Sequence, residues 1–301
     1  MPGELTSGIG LDIVIWLQDH GNGLFDLLAR ILHFGGRSTF FLIVLTMVYW
    51  SMNKRLGIRL LFALLVGSLF NTLLKQIIQD PRPFQLHPDQ VNALFDQEGF
   101  GFPSGHVNST IVIWGTAALY IRKRWAYWAV AGLALLMAWA RMYAGVHDLQ
   151  DVVGGMLFGG LILWALGPIW RGVTWYATRT PLQAQIAAVF MAGFVALIFT
   201  YDNPDGIAAA GTLWGGGFGL IVEARKVRFS SDGTPQQQAL RYVGGIVLVG
   251  ALYVALGALV ADAHPVWKAP VLLLVGFMAV AGWPYLMLRL GLAQSSNMES
   301  L

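Results

Sequence analysis

The sequence predicts an all-α fold, a polytopic bundle of transmembrane helices, from its composition, its apolar runs and the distribution of its charges. Of the 301 residues, 56% are apolar and only 12% are charged, whereas soluble domains carry roughly 25% charged residues. Aromatic residues make up 13%, and the mean hydropathy is +0.60. This composition excludes a disordered chain, a coiled coil and an ordinary cytosolic enzyme. The absence of cysteine also excludes a disulfide framework, Cys-ligated metal sites and a thiol nucleophile.

Nine apolar runs, each bounded by polar residues, predict nine membrane spans, because a transmembrane helix needs about 20 predominantly apolar residues. Short loops join most of the runs, and no soluble domain is predicted. In chain order the predicted spans are Ser38–Met52, Leu56–Ile78, Val107–Ile121, Ala126–Ala144, Val152–Trp170, Ala184–Tyr201, Gly206–Val222, Tyr242–Val260 and Ala269–Leu290.

The segment before these runs, Leu11–His33, has a mixed character. It is apolar, but Gly21, Asn22 and Gly23 interrupt it. It also carries four charged side chains, Asp12, Asp19, Asp26 and Arg30. This pattern predicts two short amphipathic helices that lie in the membrane interface. A tenth span is the alternative.

The nine spans divide the charged residues unevenly between the two sides of the membrane. One side holds 13 of the 19 basic residues and 3 acidic residues, a net charge of +10. The other side holds 6 basic and 13 acidic residues, a net charge of −7. Cytoplasmic loops carry the excess of Lys and Arg. The basic side is therefore predicted to be cytoplasmic, and the acidic side faces out.

Three polar clusters lie at ends of the predicted spans. They are Lys75 with Arg82-Pro83, then Pro103-Ser104-Gly105-His106, then Arg141 with His147 and Asp151. All three reach the outward side of the membrane. Because the apolar runs alone define the spans, this shared side is independent support for a common site.

The basic residues of these clusters predict an anion site. Lys75, Arg82 and Arg141 are half of the six basic residues on the acidic outward side. Arginine matches phosphate oxygens in a bidentate fashion. The chain breaks at Ser104-Gly105, just where a helix starts, so backbone N–H groups and the helix dipole favour an anion there. Glycine at this point also allows close approach.

The histidines of the clusters predict nucleophilic or acid–base chemistry. His147 and Asp151 are four residues apart and share one face of a helix. A carboxylate there holds the imidazole in one tautomer and stabilises its charged form. His106 lacks such a partner nearby in sequence and is free to act as a general acid. Asp148 follows His147 directly and is expected to point away.

Each cluster also has a purely structural interpretation. Lys75 and Arg141 fit interfacial anchors that snorkel to the headgroups. Ser104 fits an ordinary helix N-cap. His147 and Asp151 fit a structural pair on a helix surface. The occurrence of all three clusters in order and on one side favours the functional interpretation.

The three clusters resemble the three signatures of the type-2 phosphatidic acid phosphatase superfamily. Their spacings are Lys75-x6-Arg82-Pro83, Pro103-Ser104-Gly105-His106 and Arg141-x5-His147-x3-Asp151. That superfamily also includes vanadium haloperoxidases and the glucose-6-phosphatase group. The resemblance covers about Ser38–Trp170, and all ten signature positions match. Ala140 stands where the family usually has Ser before the arginine of the third motif.

The resemblance implies a role for each residue. His147 attacks phosphorus and becomes a phosphohistidine, and Asp151 orients it and stabilises its charge. His106 protonates the leaving group and then activates water for the second step. The phosphoryl oxygens are held by Lys75, Arg82, Ser104, Gly105 and Arg141.

The predicted spans and the extent of the resemblance together predict a division of the chain into three parts. Residues 1–36 form an N-terminal interfacial segment, residues 37–171 form a catalytic membrane core, and residues 172–301 form an additional C-terminal transmembrane bundle. The implied function is metal-independent hydrolysis of a lipid phosphate or diphosphate at the outer face of a plasma or bacterial inner membrane. No cofactor, metal ion or nucleic acid is expected. The expected partners are the bilayer and a membrane lipid phosphate, and the oligomeric state stays open.

Two other functions stay open at this point. A phosphohistidine can pass its phosphoryl group to a lipid or sugar hydroxyl instead of water, which would make the protein a phosphotransferase. A lipid-phosphate flippase or transporter without chemistry is the alternative of a different class. Transport favours charged groups and broken helices near the midplane, whereas the charges here lie at span ends. The lipid itself is also open among phosphatidate-type, phosphatidylglycerophosphate, polyprenyl diphosphate and sphingoid phosphate substrates.

Overall fold

The computed structural model describes residues 8–201 and 203–296. The fold is all-helical over these residues, which confirms the predicted fold class. The first seven residues of the predicted N-terminal segment and the last five of the predicted C-terminal bundle lie outside the described ranges. The α-helices are α1 (Ile9–Asp19), α2 (Gly23–Gly35), α3 (Ser38–Met47), α4 (Lys54–Ile78), α5 (Pro83–Leu86), α6 (Gly105–Ile121), α7 (Arg124–Tyr143), α8 (Leu149–Arg179), α9 (Leu182–Thr200), α10 (Pro204–Val222), α11 (Pro235–Leu259), α12 (Lys268–Phe277) and α13 (Trp283–Arg289).

Within the described residues, six helical segments are long and apolar enough to cross a membrane. They are Lys54–Leu86, Leu149–Arg179, Leu182–Thr200, Gly206–Val227, Pro235–Leu259 and Pro265–Arg289. The pair Gly23–Gly35 and Ser38–Met52 would make a seventh if it is counted as one span, with a bend of 59° between its parts. The predicted number of nine spans is therefore not confirmed. Helices α6 and α7 occupy two further predicted spans, and α6 is only 17 residues long.

Two short helices, α1 and α2, form at the N-terminus where the sequence predicts two. Asn22 separates them, because its side chain accepts hydrogen bonds from the N–H groups of Leu24 (3.0 Å) and Phe25 (3.1 Å) and caps α2. Both helices pack on α7. The hydroxyl of Tyr143 donates to Asp26 Oδ1 at 2.6 Å. Helices α1 and α2 therefore have a fixed place beside the helix that carries Arg141, while the predicted position of the N-terminal segment in the membrane interface stays a prediction.

Packing divides the chain into two compact units. The first comprises Met1–Phe41 and Val66–Gly167, and the second comprises Leu42–Leu65 and Pro168–Leu301. All three sequence motifs lie in the first unit. The functional division predicted at residues 36/37 and 171/172 stays a prediction.

In the first unit, small residues of α8 let the second motif pack directly on this helix. A Cβ on Gly155 would lie 2.8 Å from the carbonyl oxygen of Ser104, and a Cβ on Gly154 would clash with the ring of Phe102. The N–H of Ser104 donates to the carbonyl oxygen of Asp151 at 2.9 Å. Because only glycine admits this approach, α8 holds the second and third motifs together.

In the second unit, a buried ion pair joins two distant segments. Lys54 Nζ lies 2.5 Å from Glu223 Oε1 and also donates to the carbonyl oxygen of Phe229 at 3.1 Å. The same carboxylate oxygen accepts from the N–H of Phe229 at 3.2 Å. Lys54 is 8% exposed and Glu223 is 1% exposed. The pair is therefore almost completely shielded from water, and its contribution to stability depends on both charges being present.

Arg241 is a further buried charged residue of this unit. Its guanidinium donates to three backbone carbonyls, those of Leu292 (2.7 Å), Ser231 (2.8 Å) and Asp232 (2.8 Å). Its own carbonyl oxygen accepts from the indole N–H of Trp283 at 2.9 Å. The side chain thus ties the loop before α11 to the segment after α13.

We expect Lys54→Ala to destabilise the protein by about 3–5 kcal/mol, because it leaves Glu223 buried without its counter-charge. The measurement is the thermal unfolding midpoint in detergent. The matched control is Arg55→Ala, which removes an exposed neighbouring charge and should change the midpoint little. The double variant Lys54→Met with Glu223→Met should recover much of the loss. Equal midpoints for Lys54→Ala and Arg55→Ala would contradict a stabilising pair.

Candidate active site

The first motif places two cations beneath the loop that follows α4. Lys75 lies in the last turn of α4, and its ammonium donates to the carbonyl oxygens of Phe100 and Gly101, the latter at 3.0 Å. Arg82 donates from Nε to the carbonyl oxygen of Gly99 at 2.9 Å and from one terminal nitrogen to that of Glu98 at 3.2 Å. Four consecutive carbonyls of the loop therefore face these two side chains.

Arg82 also connects this loop to the third motif. One terminal nitrogen donates to the carbonyl oxygen of Val146 at 2.9 Å and lies 3.2 Å from His147 Nε2. The side chain is only 3% exposed. Four of the five N–H groups of the guanidinium are thus used in contacts within the protein. A bound phosphate would meet the remaining N–H and the positive charge of Arg82.

His147 is held in a single tautomer by its two neighbours. Its Nδ1 lies 2.8 Å from Asp151 Oδ2, so Nδ1 carries the proton and donates to the carboxylate. A guanidinium has no acceptor atom, so the contact with Arg82 requires an unprotonated Nε2. Burial first, then the charges of Arg82, Arg141 and Lys75, lower the pKa of His147 well below 6.5. The imidazole is therefore neutral at neutral pH and presents the Nε2 lone pair among three cations.

Asp148 does not point away from the site as its position after His147 suggested. Its side chain is 1% exposed, and its Oδ1 accepts from the N–H of Asp151 at 3.0 Å. The N–H of Asp148 in turn lies 3.3 Å from Asp151 Oδ2. Burial raises the pKa of Asp148 to about 6. Because it directly precedes the first residue of α8 and accepts from the N–H of Asp151, Asp148 caps the helix and fixes Asp151 rather than facing solvent.

The second motif begins α6 beside this histidine. Ser104 is fully buried at the N-cap of α6, and its Oγ has no hydrogen-bond partner among the described residues. Gly105 opens the helix; a Cβ there would lie 3.3 Å from Asn71 Nδ2. An unpartnered hydroxyl and the first N–H groups of a helix are donors suited to an anion.

The third cation, Arg141, lies at the end of α7. It is 1% exposed, and its terminal nitrogens donate to His33 Nδ1 at 2.8 Å and to Gln97 Oε1 at 3.1 Å. Its Nε is buried and has no hydrogen-bond partner in the part of the chain that is described. Arg141 is therefore the cation with a donor best placed to be taken by a substrate.

Sequence reasoning missed two residues of this site, His33 and Gln97. Neither lies in a motif, and 108 residues separate His33 from Arg141. The ring of His33 stacks on that of His106 with a centroid distance of 5.1 Å, and the carbonyl oxygen of His33 lies 3.2 Å from His106 Nε2. His106 thus has a partner that is distant in sequence. No sequence signal singled out His33, because α2 also carries Asp26 and Arg30.

The loop between the first and second motifs packs inward. Val91 is 2% exposed, Phe95 stacks on His33 at 4.1 Å, and Phe102 packs edge-to-face on Phe158 at 6.1 Å. The loop therefore closes over the site by packing its apolar side chains on the helices. The electrostatics of the site beneath it are set by three cations around one neutral imidazole, which is an arrangement that attracts an anion.

Comparison with known proteins decides the family. Residues 56–176, which include all three motifs, match the PAP2 superfamily, and residues 207–295 match the transmembrane extension of PAP2 superfamily phosphatases. Together the two matches cover more than half of the chain. The chain belongs to the PAP2 superfamily. The resemblance noted in the three motifs is thus confirmed.

Two curated relatives of this PAP2 chain show how far the similarity extends. Lipid phosphate phosphatase delta of Arabidopsis thaliana is 24% identical over 210 residues, which are 65% of this chain and 50% of that protein. Sphingosine-1-phosphate phosphatase 2 of Homo sapiens is 25% identical over 153 residues, 49% of this chain and 38% of that protein. The chain therefore spans half or less of the length of these relatives. Among solved structures, Aquifex aeolicus LpxE is similar over 53% of this chain and 95% of that one, with a TM-score of 0.48 and 24% identity.

For this PAP2 chain we expect Arg82→Lys to loosen the loop over the site, because a single ammonium cannot replace the guanidinium fork. The carbonyls of Glu98 and Gly99 would lose donors. Hydrogen bonds to charged groups contribute about 1.5–3 kcal/mol each, so amide exchange in residues 88–101 should be roughly tenfold faster or more. Hydrogen-exchange mass spectrometry measures this. The control is Arg124→Lys at the exposed start of α7; similar exchange in both variants would contradict the role of Arg82.

Proposed function

We propose that this chain is an integral membrane phosphatase that hydrolyses lipid phosphates or diphosphates through a phosphohistidine intermediate. The observation that carries the proposal is the state of His147, with Nδ1 bonded to Asp151 and the Nε2 lone pair facing Arg82. A neutral imidazole in this tautomer is a nucleophile, and the carboxylate stabilises the charge that develops when Nε2 attacks. Membership of the PAP2 superfamily and the names of the relatives support the same activity.

The proposed reaction has two steps. In the first, His147 Nε2 forms a bond to phosphorus while the bond from phosphorus to the leaving oxygen breaks. The imidazolium form of His106, stabilised by the bound phosphate anion, gives its Nδ1 proton to that oxygen and becomes neutral. In the second, His106 takes a proton from water, which attacks phosphorus and breaks the P–N bond. Inorganic phosphate leaves, and His147 returns to its neutral form. For a diphosphate, the leaving group is the lipid monophosphate.

Fixed cations supply the charge stabilisation in this proposal. Charge on the equatorial oxygens of a transferring phosphoryl group is stabilised by donors and cations that are already in place. Ser104 Oγ and Arg141 Nε, both buried without partners among the described residues, are the donors that a phosphoryl group would satisfy. Lys75 and Arg82 add positive charge next to His147. The reaction proposed here is independent of metal ions, and EDTA should not inhibit it.

A lipid is the proposed substrate because the site belongs to a membrane bundle. The six long apolar segments and the exposed apolar side chains of α2, such as Leu27 and Ile31, fit a chain surrounded by lipid. A lipid can place its phosphate at headgroup level while each buried CH₂ of its tail contributes about 0.8 kcal/mol to partitioning. The membrane proposed is a plasma or bacterial inner membrane, and the site is proposed to face out.

The decisive experiment is phosphate release from a panel of lipids in mixed micelles, with glucose 6-phosphate as the soluble comparison. The panel contains a phosphatidate, a phosphatidylglycerophosphate, a sphingoid phosphate and a polyprenyl diphosphate. We expect at least one lipid to exceed glucose 6-phosphate in kcat/KM by orders of magnitude. His147→Ala should reduce release to background, whereas Asp151→Asn should retain more activity because it orients the nucleophile but does not attack.

Other outcomes of this panel separate the alternatives. Use of glucose 6-phosphate as efficiently as of any lipid would overturn the lipid assignment. Phosphate that stays on an acceptor hydroxyl, without incorporation of oxygen from ¹⁸O-labelled water, would identify a phosphotransferase. Transport of a labelled lipid phosphate with no release in any assay would identify a flippase.

The role of His106 predicts a dependence on the leaving group. General acid catalysis contributes roughly 10² to 10⁴ in rate and matters most for a poor leaving group. His106→Ala should therefore reduce the first step far more for an alkyl phosphate than for p-nitrophenyl phosphate. Single-turnover measurements with both substrates test this. An equal loss of rate on both substrates would show that His106 is not the general acid of the first step.

The proposed orientation predicts which side of the membrane each loop reaches. Because the chain lacks cysteine, single cysteines report position without background. Asn92→Cys, at an exposed position in the loop over the site, should react with an impermeant maleimide from outside. Lys123→Cys, between α6 and α7, should react only from the cytoplasmic side. The reverse pattern would invert the proposed topology.

A further inference from the structure

Helix α2, which lies outside the three motifs, reaches two residues of the candidate active site through its last turn. The ring of His33 stacks on two other rings, that of Phe95 at 4.1 Å and that of His106 at 5.1 Å, with interplanar angles of 12° and 10°. Two nearly parallel contacts of this kind fix the ring plane of His33 relative to His106.

The side chain of His33 also fixes Arg141. Because a guanidinium can only donate, the 2.8 Å contact from Arg141 requires that Nδ1 of His33 is an unprotonated acceptor. Gln97 Oε1 accepts from the other terminal nitrogen at 3.1 Å. Two fixed acceptors on two nitrogens define the plane and rotation of the guanidinium. The remaining nitrogen, Nε, is buried and has no partner among the described residues.

The backbone of the same turn fixes His106. The carbonyl oxygen of His33 lies 3.2 Å from His106 Nε2, which makes Nε2 a donor. The proton that His106 exchanges with a substrate is then the one at Nδ1. Gly36, the C-cap of α2, lies so close to the side chain of His106 that a Cβ there would clash with its Cδ2 and lie 2.9 Å from its Cγ. A Cβ on the adjacent Gly35 would meet nothing within 4 Å.

We propose that the end of α2 is a positioning element of the active site, in which His33 orients Arg141 through its ring and His106 through its carbonyl group. His33 itself does not contact the reacting atoms. Its ring sets the direction of the Arg141 donor, and the close packing of Gly36 sets the position of His106. This inference rests on the proposed function, since it assigns these contacts to phosphoryl transfer.

Gly36→Ala and Gly35→Ala form a matched pair that tests the contact with His106. Both add one methyl group to the end of the same helix, but only the first displaces a ring of the site. We expect Gly36→Ala to lower kcat on an alkyl phosphate by about 10²-fold, the effect of a misplacement of roughly 1 Å. The loss on p-nitrophenyl phosphate should be much smaller, because that substrate needs little protonation. Gly35→Ala should have the activity of the unmodified protein. Equal kinetics for the two variants would overturn the contact with His106.

Substitutions of His33 test the contact with Arg141. His33→Phe keeps an aromatic ring for the stack but leaves a donor of Arg141 unpaired, and it should lower kcat/KM and weaken inhibition by vanadate by about tenfold or more. His33→Asn offers an acceptor oxygen near the position of Nδ1 and should recover part of both losses. In the Arg141→Ala background, His33→Phe should have no further effect. Additive losses, or full activity of His33→Phe, would contradict the positioning role.

Two controls separate failure of this inference from failure of the proposed function. If the unmodified protein releases no phosphate from any substrate, the proposed function itself fails. If it is active and the His33 and Gly36 variants behave like it, only the positioning role fails. The thermal unfolding midpoint of each variant identifies a loss of folding. If Gly36→Ala does not fold, the His33→Phe and His33→Asn pair, which leaves Gly36 unchanged, still tests the positioning role.

Discussion

Positive charge buried around His147 is the constraint on which the rest of the site depends. Lys75, Arg82 and Arg141 all lie close enough to lower the pKa of this histidine. Like charges in a poorly solvated site repel one another, and each loses hydration, so each needs acceptors from the protein. Backbone carbonyls of residues 98–101 supply them for the first two cations. The path of the loop over the site follows from the need to partner these side chains.

The same constraint explains why small residues surround the site. Acceptors must come within hydrogen-bond distance of buried cations, and this brings backbone segments together. A Cβ on Gly101 would lie 3.0 Å from Asp151 Oδ2. Gly145 adopts a φ of 71°, which favours glycine, in the turn just before Val146 accepts from Arg82. Glycine at these positions allows the carbonyls to reach the charged groups.

Charges in the second unit show that a residue can contribute to topology and to packing at once. Lys54, Arg241 and Glu223 count among the charged residues of the predicted cytoplasmic side, yet all three are buried. Lys54 and Glu223 satisfy each other across 169 positions, and Arg241 donates to backbone carbonyls that include that of Leu292, 51 positions away. Their part in the charge asymmetry is the same whether they are exposed or buried. Their part in stability exists only because the fold removes them from water.

The sequence by itself determined the helical membrane class and the contact between His147 and Asp151. Apolar composition decides the first, and a spacing of four residues decides the second, although His147 lies just before α8 and only Asp151 is in its first turn. The sequence did not determine the number of spans. Some helices, such as α6, are close to the minimum length for crossing a membrane, and local hydropathy does not separate those that cross from those that do not.

Only the tertiary structure decided which other residues complete the site. His33 meets Arg141 across 108 positions, and Arg82 meets His147 across 65. Asp148 turns inward because it caps α8, which adjacency to His147 alone does not reveal. The tautomer of His147 likewise follows from Arg82 on one side and Asp151 on the other. Contacts of this kind depend on how the helices pack. Packing brings together residues that are far apart in the chain, and the local sequence pattern around each residue does not reveal its partner.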